Sequence, residues 1–399
     1  MGLRGDAAIV GYAELKPERR WTGPLMFSIE RWADLARMAL DDAGIDPREV
    51  DGICCAGIRE ASMFVPSTIA EYIGAEVNFA EYVDLGGATA AGMAWRAAAA
   101  IELGLCDVVV CAFPSTPPPR PPGDGATMPK RFLGASSGAY GSPQAEFDIP
   151  YGNLAQNCGY GMVAQRYAAE FGYDPAVLAK IAVDQRVNAC ANPDAIFYGQ
   201  PITVEDVLNS PLIADPLHLL EIVMPVQGGN AFVITSKERA RRTRHRPVYI
   251  TGFGERLATK TPTYAMDLVR TPIGPASDKA FAMAGISRSD IDMVSIYDCY
   301  TITVLLSFED AGFCGKGEGL DFVREHDLTY RGDFPCNTFG GQLGFGQAGL
   351  AGGASHVIDG ARQIMGRARE AQLQKCDTVF VSGNGGILSE QVALILQGD

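Results

Sequence analysis

The sequence predicts an α/β protein built from two duplicated halves, each with a sheet covered by helices. The first observation is an internal repeat, because three segments of the first half recur in the second half in the same order. A repeat of this length indicates duplicated domains, since each copy carries a strand, a helix and a second strand that need a partner layer. The second observation is the length of 399 residues with 47% hydrophobic residues, which is enough for two cores. The repeated pairs are 8–11 with 249–252, 43–51 with 284–292, and 106–110 with 376–380.

The first repeated unit contains an amphipathic helix. Apolar residues from Trp32 to Ala43 recur at helical spacing, which predicts a helix over residues 28–43 that ends at Gly44. A strand over residues 50–56 follows it. The same order of elements is expected in the second half, where the segment recurs.

A buried strand and a helix of small residues complete the unit. Residues 107–113 form an apolar run that is too short for a helix, which indicates a parallel strand buried on both faces. Residues 86–97 follow a glycine-rich turn and consist mostly of small residues, which implies tight packing. We therefore expect this helix to lie between two layers at the centre of the molecule.

A long excursion interrupts the first half. Residues 113–160 contain a run of prolines and many Gly and Ser, so they are predicted to be a loop insertion that forms a lid or a subunit contact. The first half then comprises residues 1–112 and 161–240, and the second half residues 247–399. The basic stretch 237–246 is interpreted as a solvated linker, with phosphate binding as the alternative. Further helices are predicted over 160–170, 175–188 and 301–311, and further strands over 229–235, 291–296 and 390–397.

Charge and cysteine content limit the functions that are open to the protein. The formal net charge of −14 disfavours wide contact with nucleic acid or an anionic membrane. Residues 1–10 lack a signal-peptide pattern and no apolar run approaches the ~20 residues that span a bilayer, so a cytoplasmic protein without a membrane span is expected. The ten cysteines contain no C-x-x-C pair, so no metal site is expected, and a reducing compartment would keep them as thiols.

The segment Tyr297-Asp298-Cys299-Tyr300 is a candidate site. It follows the predicted strand over residues 291–296, and open α/β sheets place their sites at the carboxyl ends of strands. A tyrosine with a pKa of about 10 is a poor base in water, but burial beside hydrogen-bond donors can make it a usable proton acceptor or donor. The alternative is a strand-end tyrosine whose hydroxyl only serves the structure.

Five segments, 86–97, 202–220, 297–300, 337–341 and 383–386, carry a resemblance to a known family. With them the sequence resembles the thiolase superfamily, in particular the sterol-carrier-protein-x type and the thiolase-like lipid-transfer proteins. The resemblance implies a thiolase fold with a duplicated five-layered α-β-α-β-α architecture, and CoA as part of the substrate with no other cofactor bound. It also implies a homodimer formed through the sheet edge. In this branch a partner with an OB-fold and a zinc ribbon often completes the acyl-CoA pocket, as a heterotetramer.

The resemblance places the catalytic positions of thiolases on residues without thiolase chemistry. The nucleophilic cysteine, which needs the N-terminus of the central helix, falls on Gly87. The histidine of the Gly-His-Pro motif falls on Gln347, which cannot take a proton near neutral pH. The second cysteine falls in residues 382–384, which contain no thiol. Acyl transfer through a cysteine at these positions is therefore not expected.

The resemblance instead favours the thiolase-like aldolases, which cleave a β-hydroxyacyl-CoA during degradation of steroid side chains. Such a retro-aldol reaction needs a base for the hydroxyl proton, donors for the thioester oxygen and an acid for the α-carbon. Tyr297 is the predicted base, with Asp298, Cys299 and Gln347 as the other candidate catalytic residues. The aldolases carry a second tyrosine close to the position of Gln347, and it is absent here. The predicted oxyanion donors are Asn337, Gln347 and the backbone N–H groups near Gly86, Gly87, Gly340 and Gly341.

Two other functional classes stay open beside the lyase. Cys299 could be a relocated nucleophile, but its acid-base neighbours in sequence are only Asp298 and two tyrosines, while the four histidines lie in unrelated segments. The first alternative is an acyltransferase subunit of a multi-subunit thiolase-like complex. The second is a non-catalytic scaffold.

Overall fold

A computed structural model describes residues 2–119, 139–260 and 262–399. The strands of these ranges are β1 (Ala7–Glu14), β2 (Gly52–Cys55), β3 (Phe79–Tyr82), β4 (Val108–Ser115), β5 (Leu212–Ala214), β6 (Leu217–His218), β7 (Gly228–Ser236), β8 (Val248–Leu257), β9 (Met293–Ser295), β10 (Thr378–Gly385) and β11 (Glu390–Gln397). The α-helices are α1 (Ser28–Ala43), α2 (Val65–Ile73), α3 (Thr89–Glu102), α4 (Gln156–Phe171), α5 (Pro175–Cys190), α6 (Val204–Leu208), α7 (Lys237–Ala240), α8 (Ile273–Ala284), α9 (Thr301–Asp310), α10 (Gly319–Glu325), α11 (Gly341–Phe345) and α12 (Ala351–Ile364).

One nine-stranded mixed sheet runs through both halves, in the order β3-β2-β4-β7-β1-β8-β11-β10-β9. Its first five strands come from the first half of the chain and its last four from the second half. The halves join where β1 pairs antiparallel with β8, with Ala8 opposite Tyr249 and Ile9 opposite Val248. These two strands carry the first repeated segment. The duplicated copies therefore meet each other within the sheet.

The two halves of the sheet form two of the five layers, and helices form the other three. Helix α1 packs on β1, β4 and β7, while α8 packs on β8 and β11. Helices α3 and α12 pack on each other, and each contacts β7 of the first half and β10 of the second half. Three large clusters of buried apolar side chains fill the spaces between these layers. The expected α-β-α-β-α architecture is confirmed, and the predicted helix of small residues lies in its central layer.

The repeated glycines allow a strand and a helix to approach closely in both halves. A Cβ atom on Gly11 would lie 2.7 Å from Ala43 Cβ and 2.8 Å from the Ala39 carbonyl oxygen in α1. A Cβ atom on Gly252 would lie 2.2 Å from the Ala280 carbonyl oxygen in α8. Because no side chain fits at such distances, the duplicated sequence encodes a duplicated packing contact.

In each half, one aspartate links the starts of two neighbouring strands. Asp51 accepts hydrogen bonds at 2.9 and 2.8 Å from the two backbone N–H groups at the entry to β4. Asp292, its counterpart in the repeat, accepts hydrogen bonds at 2.9 and 3.0 Å from the two N–H groups at the entry to β10. Each aspartate thus fixes the turn that precedes its own strand to the start of a neighbouring strand.

Two edges of the predicted insertion differ in the structure. Strand β4 continues to Ser115 instead of ending at residue 113, because Pro114 and Ser115 still pair with Gly229 and Gly228 of β7. Helix α4 begins at Gln156 rather than at residue 160 or 161. Residues 120–138 lie outside the described part of the chain. The function of the insertion as a lid or a subunit contact, and the division into halves at its edges, stay predictions.

Candidate active site

Tyr297 lies just beyond the carboxyl end of β9 and is only 4% exposed. Its backbone N–H donates to Ser382 Oγ at 3.0 Å. The amide of Asn337 bonds both backbone groups of Ile296, with Nδ2 donating to the carbonyl oxygen at 2.9 Å and Oδ1 accepting from the N–H at 2.7 Å. The strand end that carries Tyr297 is therefore held on two sides.

The Tyr297 hydroxyl occupies the space beside Gly87, in the 3-10 turn Gly86–Ala88 that leads into α3. A Cβ atom on Gly87 would lie 2.2 Å from the hydroxyl oxygen and 2.3 Å from the carbonyl oxygen of Asn384. Gly86 has a φ of +55° and packs against Gly385, where a Cβ atom would come within 3.1 Å. The position that the resemblance assigns to a nucleophile is thus adjacent to a tyrosine hydroxyl, and only glycine fits there.

The N-terminal turns of α3 and α12 meet beside this hydroxyl. A Cβ atom on Gly353, in the first turn of α12, would lie 2.1 Å from the Gly87 carbonyl oxygen and 3.6 Å from the Tyr297 ring. The N-terminus of a helix carries partial positive charge, which favours a negative charge placed near it. Two helices of 14 residues each bring their N-termini to the same place. The arrangement therefore favours an anion next to Tyr297.

Gln347 contacts the Tyr297 hydroxyl directly. Its Nε2 donates to the hydroxyl oxygen at 3.0 Å, so the phenol proton stays available for another acceptor. Its backbone is fixed by bonds to Met224 and Val226 at 2.9 and 3.0 Å. Burial raises the pKa of Tyr297, the neighbouring Cys299 acts in the same direction, and the Gln347 hydrogen bond opposes them only in part. Tyr297 is therefore a neutral phenol near neutral pH.

Asp298 is fully buried and bonds to other protein groups. Its two oxygens accept the backbone N–H groups of Gln342 at 2.8 Å and Leu343 at 3.2 Å, at the start of α11. The Nε2 of His356 lies 3.2 Å from Asp298 Oδ1. A Cβ atom on Gly341 would lie 2.0 Å from Oδ2, so glycine is needed for this close approach. Asp298 thus anchors α11 beside Tyr297.

The other predicted oxyanion donors also have structural contacts. The amide of Asn337 is engaged with Ile296, and Gly341 packs on Asp298. Gly340 has a φ of +111°, and a Cβ atom there would lie 2.8 Å from Ala189 of α5. A contact of these residues with a thioester oxygen stays a prediction. Of the predicted donors, Gln347 contacts the Tyr297 hydroxyl, and the N-terminal turns of α3 and α12 lie beside it.

Cys299 is 6% exposed and its sulfur lies 3.5 Å from Thr303 Oγ1. Asn384 Nδ2 lies 3.8 Å from the same sulfur. Burial raises the pKa of Cys299 to about 11, although the neighbouring polar side chains of Tyr160 and Thr303 act against it. Because the thiolate is the nucleophilic form of cysteine, this environment does not activate Cys299.

Tyr160 of α4 belongs to the site and was not predicted. Its hydroxyl accepts from Asn384 Nδ2 at 2.9 Å and donates to the Gly386 carbonyl oxygen at 3.0 Å. Its ring stacks on Tyr300 with 4.0 Å between centroids. The helix of Tyr160 was predicted, but no local pattern tells that it reaches this segment. Asn384 could have been found, because residues 383–386 were already singled out by the resemblance.

His356 of α12 is also brought to the site by the fold. It is fully buried, and its ring centroid lies 5.6 Å from that of Tyr297. Its Nδ1 lies 3.0 Å from Ser295 Oγ and its Nε2 lies 3.1 Å from Gln342 Nε2. The sequence placed all four histidines in unrelated segments. Because α12 packs on β9, His356 nevertheless lies close to Tyr297 in the fold.

Comparisons with known proteins show the family to which the chain belongs. Residues 254–398 match the family model of the thiolase C-terminal domain. The chain is 33% identical over 391 residues to a steroid side-chain-cleaving aldolase of Thermomonospora curvata, covering 96% of each chain. It is 32% identical to the 17-hydroxy-3-oxo-4-pregnene-20-carboxyl-CoA lyase of Mycobacterium tuberculosis, covering 91% of this chain and 92% of the relative. A solved structure described as the Ltp2-ChsH2(DUF35) aldolase superposes with a TM-score of 0.86 at 30% identity, covering 100% of this chain and 99% of that one.

The fold and the site define a thiolase-like protein in which the Tyr297 hydroxyl lies against Gly87, the position to which the resemblance assigns the nucleophilic cysteine. The chain belongs to the thiolase superfamily, in the branch that contains the steroid side-chain-cleaving aldolases. The prediction of a thiolase-like lyase for CoA thioesters is confirmed at the level of this class. Of the helices in the described ranges, none is both long and apolar enough to cross a membrane.

Proposed function

We propose that this protein catalyses the retro-aldol cleavage of a β-hydroxyacyl-CoA with a bulky, steroid-like acyl group. The observation that carries the proposal is the Tyr297 hydroxyl, which fills the space beside Gly87 at the meeting point of two helix N-termini. The names of the two relatives, a steroid side-chain-cleaving aldolase and a pregnene-carboxyl-CoA lyase, support the substrate class.

The proposed reaction exchanges one proton and forms no acyl-cysteine. The bond between the α- and β-carbons breaks, and its electron pair passes to the α-carbon and the thioester as an enolate. The tertiary β-hydroxyl loses its proton and becomes a ketone. The α-carbon gains a proton. The products are a ketone and a shortened acyl-CoA, so the atoms balance with CoA present only as part of the substrate.

A neutral Tyr297 serves both proton transfers in this scheme. Its oxygen accepts the β-hydroxyl proton while its own proton passes to the α-carbon, so the phenol is restored within one turnover. Burial holds the pKa of Tyr297 above its ordinary value, so the phenol enters the reaction protonated and its oxygen can accept the β-hydroxyl proton only as its own proton leaves. Gln347 orients the hydroxyl through its 3.0 Å hydrogen bond.

The enolate is stabilised by the environment of Tyr297. The N-termini of α3 and α12 place partial positive charge where the negative charge develops, and they need no reorganisation when the bond breaks. Cys299 takes no covalent part, since the pKa of its thiol is raised to about 11. Asp298 acts in the proposal as a positioning residue, because its oxygens hold α11 and lie close to His356.

We also propose a homodimer formed through the edge of the sheet, and an OB-fold and zinc-ribbon partner that completes a heterotetramer. Strand β3 ends the sheet on the side of the first half, and its Tyr82 is 47% exposed. The description of a similar solved structure as Ltp2-ChsH2(DUF35) supports a complex with a second chain. The ten free cysteines fit the proposed cytoplasmic location.

Product analysis by mass spectrometry tests the proposed function. The protein, alone and with an OB-fold partner, is given a tertiary β-hydroxyacyl-CoA, and separately a β-ketoacyl-CoA with free CoA. We expect a ketone and a shortened acyl-CoA from the hydroxy compound. Cleavage of only the ketoacyl compound, with consumption of CoA, would instead identify an acyltransferase. No reaction of either compound would support the scaffold.

A further inference from the structure

The side chain of Gln342 is a fully buried amide beside Tyr297 that is only half satisfied. Its Oε1 has no hydrogen-bond partner. Its Nε2 lies 3.1 Å from Nε2 of His356. A buried amide oxygen without a donor is unfavourable, and native proteins rarely keep one unless a ligand or water uses the site.

The surroundings of His356 decide which end of the amide faces it. His356 Nε2 also lies 3.2 Å from Asp298 Oδ1, and a carboxylate oxygen only accepts. A hydrogen is therefore required on Nε2 of this imidazole, while Nδ1 lies 3.0 Å from the Ser295 hydroxyl. A donor on Nε2 calls for an acceptor opposite it. A half-turn of the Gln342 amide about its last bond places Oε1 there and satisfies both groups.

The same half-turn directs the Gln342 N–H groups into the place where Oε1 now lies. A Cβ atom on Gly352 would come 2.4 Å from that oxygen and 2.9 Å from Cγ of Gln347, so this place is next to the residue that bonds Tyr297. After this half-turn the N–H groups of Gln342 lie beside Gln347, which bonds the Tyr297 hydroxyl, and the backbone N–H of Gln342 is held by Asp298 at 2.8 Å.

We propose that Gln342 is a catalytic oxyanion donor, whose Nε2–H binds the thioester oxygen of the substrate as that oxygen becomes the enolate oxygen. His356 and Asp298 are positioning residues that keep the amide in this orientation. The inference rests on the proposed function and deepens it, because it names a residue that holds the developing charge. A donor aimed at this charge acts on the transition state more than on the bound substrate.

The test uses two substitutions that remove the donor, Gln342→Met and Gln342→Glu. Removal of one oxyanion donor lowers kcat by about 10²–10³-fold, and KM is expected to change by less than about threefold. The matched control is Gln185→Met, since Gln185 is also fully buried with an unpartnered Oε1. We expect the control to keep its kcat. Circular dichroism and thermal denaturation verify that each variant is folded.

A binding measurement separates this inference from the proposed function. The dissociation constant of a CoA analogue with a carboxylate in place of the enolate is measured for the parent and for each variant, together with that of a neutral thioether analogue. Weaker binding of the carboxylate analogue alone in both Gln342 variants supports the inference, whether or not the parent cleaves a hydroxyacyl-CoA. An unchanged kcat in folded Gln342→Met, or equal loss of both analogues, would overturn it.

Discussion

Gly87 and Tyr297 depend on each other. The hydroxyl of Tyr297 takes the space that any side chain at position 87 would need, with 2.2 Å between the oxygen and a Cβ atom. A cysteine nucleophile and this tyrosine therefore exclude each other at the start of α3. In the proposed function, this steric conflict excludes a cysteine nucleophile at position 87 while Tyr297 keeps its place.

The first prediction at this scale concerns Gly87→Ala. The added methyl group must displace the Tyr297 hydroxyl, so we expect cleavage to fall at least ~tenfold and the free energy of unfolding to fall by ~1–3 kcal/mol. Gly57→Ala is the matched control, because a Cβ atom there would come no closer than 3.5 Å to any other atom. Cleavage rates and thermal denaturation measure both effects. Parental activity in Gly87→Ala would mean that Tyr297 need not keep its position.

Residues of the site differ in how far the sequence could predict them. Tyr297 and Gln347 were found from the sequence, and the structure joins them by a 3.0 Å hydrogen bond. Tyr160, Gln342 and His356 were not found, because they come from α4, α11 and α12, whose approach to the site depends on tertiary packing. A local pattern gives the helix on which such a residue lies, but not the partner that the helix meets.

The elements are encoded more locally than the site. Helix α1 has the predicted bounds, since Gly44 ends it with a φ of +75°. Strand β2 is shorter than predicted because only residues 52–55 find partners in β3 and β4. Ladder pairing is decided by neighbouring strands, so strand ends follow the sheet rather than the apolar run itself.

The second prediction concerns how Asp292, which binds the entry to β10, makes stability depend on pH. Burial would raise the pKa of Asp292, but hydrogen bonds from Lys375 and from the two backbone N–H groups outweigh it and hold the pKa below its ordinary value. A carboxyl group with a lowered folded-state pKa stabilises the protein above its unfolded-state pKa of about 3.9 and loses this contribution as the pH falls through the folded-state pKa. We expect the melting temperature of the parent to fall more steeply below about pH 4 than that of Asp292→Asn.

The control for Asp292→Asn is Glu238→Gln, whose carboxylate is 83% exposed. This variant should follow the parent at every pH. Thermal denaturation between neutral and acidic pH makes the comparison. Parallel curves for the parent and Asp292→Asn would show that the carboxylate does not contribute in this way.

At the scale of the whole molecule, the duplication creates the site. The two copies join through β1 and β8, and their central helices α3 and α12 meet with both N-termini beside Tyr297. The sequence predicted this architecture, because the repeat and the helix of small residues are features of the primary structure. It could not predict that the two halves share one continuous sheet, since that depends on only two pairs of residues between β1 and β8.

The central claim is that Tyr297 carries out acid-base cleavage of a β-hydroxyacyl-CoA. The most direct measurement compares kcat/KM for this cleavage in Tyr297→Phe and in Tyr249→Phe. Tyr249 is the matched control, because both tyrosine side chains are 4% exposed in the parent. We predict a loss of about 10²–10⁴-fold in Tyr297→Phe, which is the usual contribution of a positioned acid-base group, and parental activity in Tyr249→Phe. Cleavage that persists in folded Tyr297→Phe, or that falls equally in both variants, would contradict the claim.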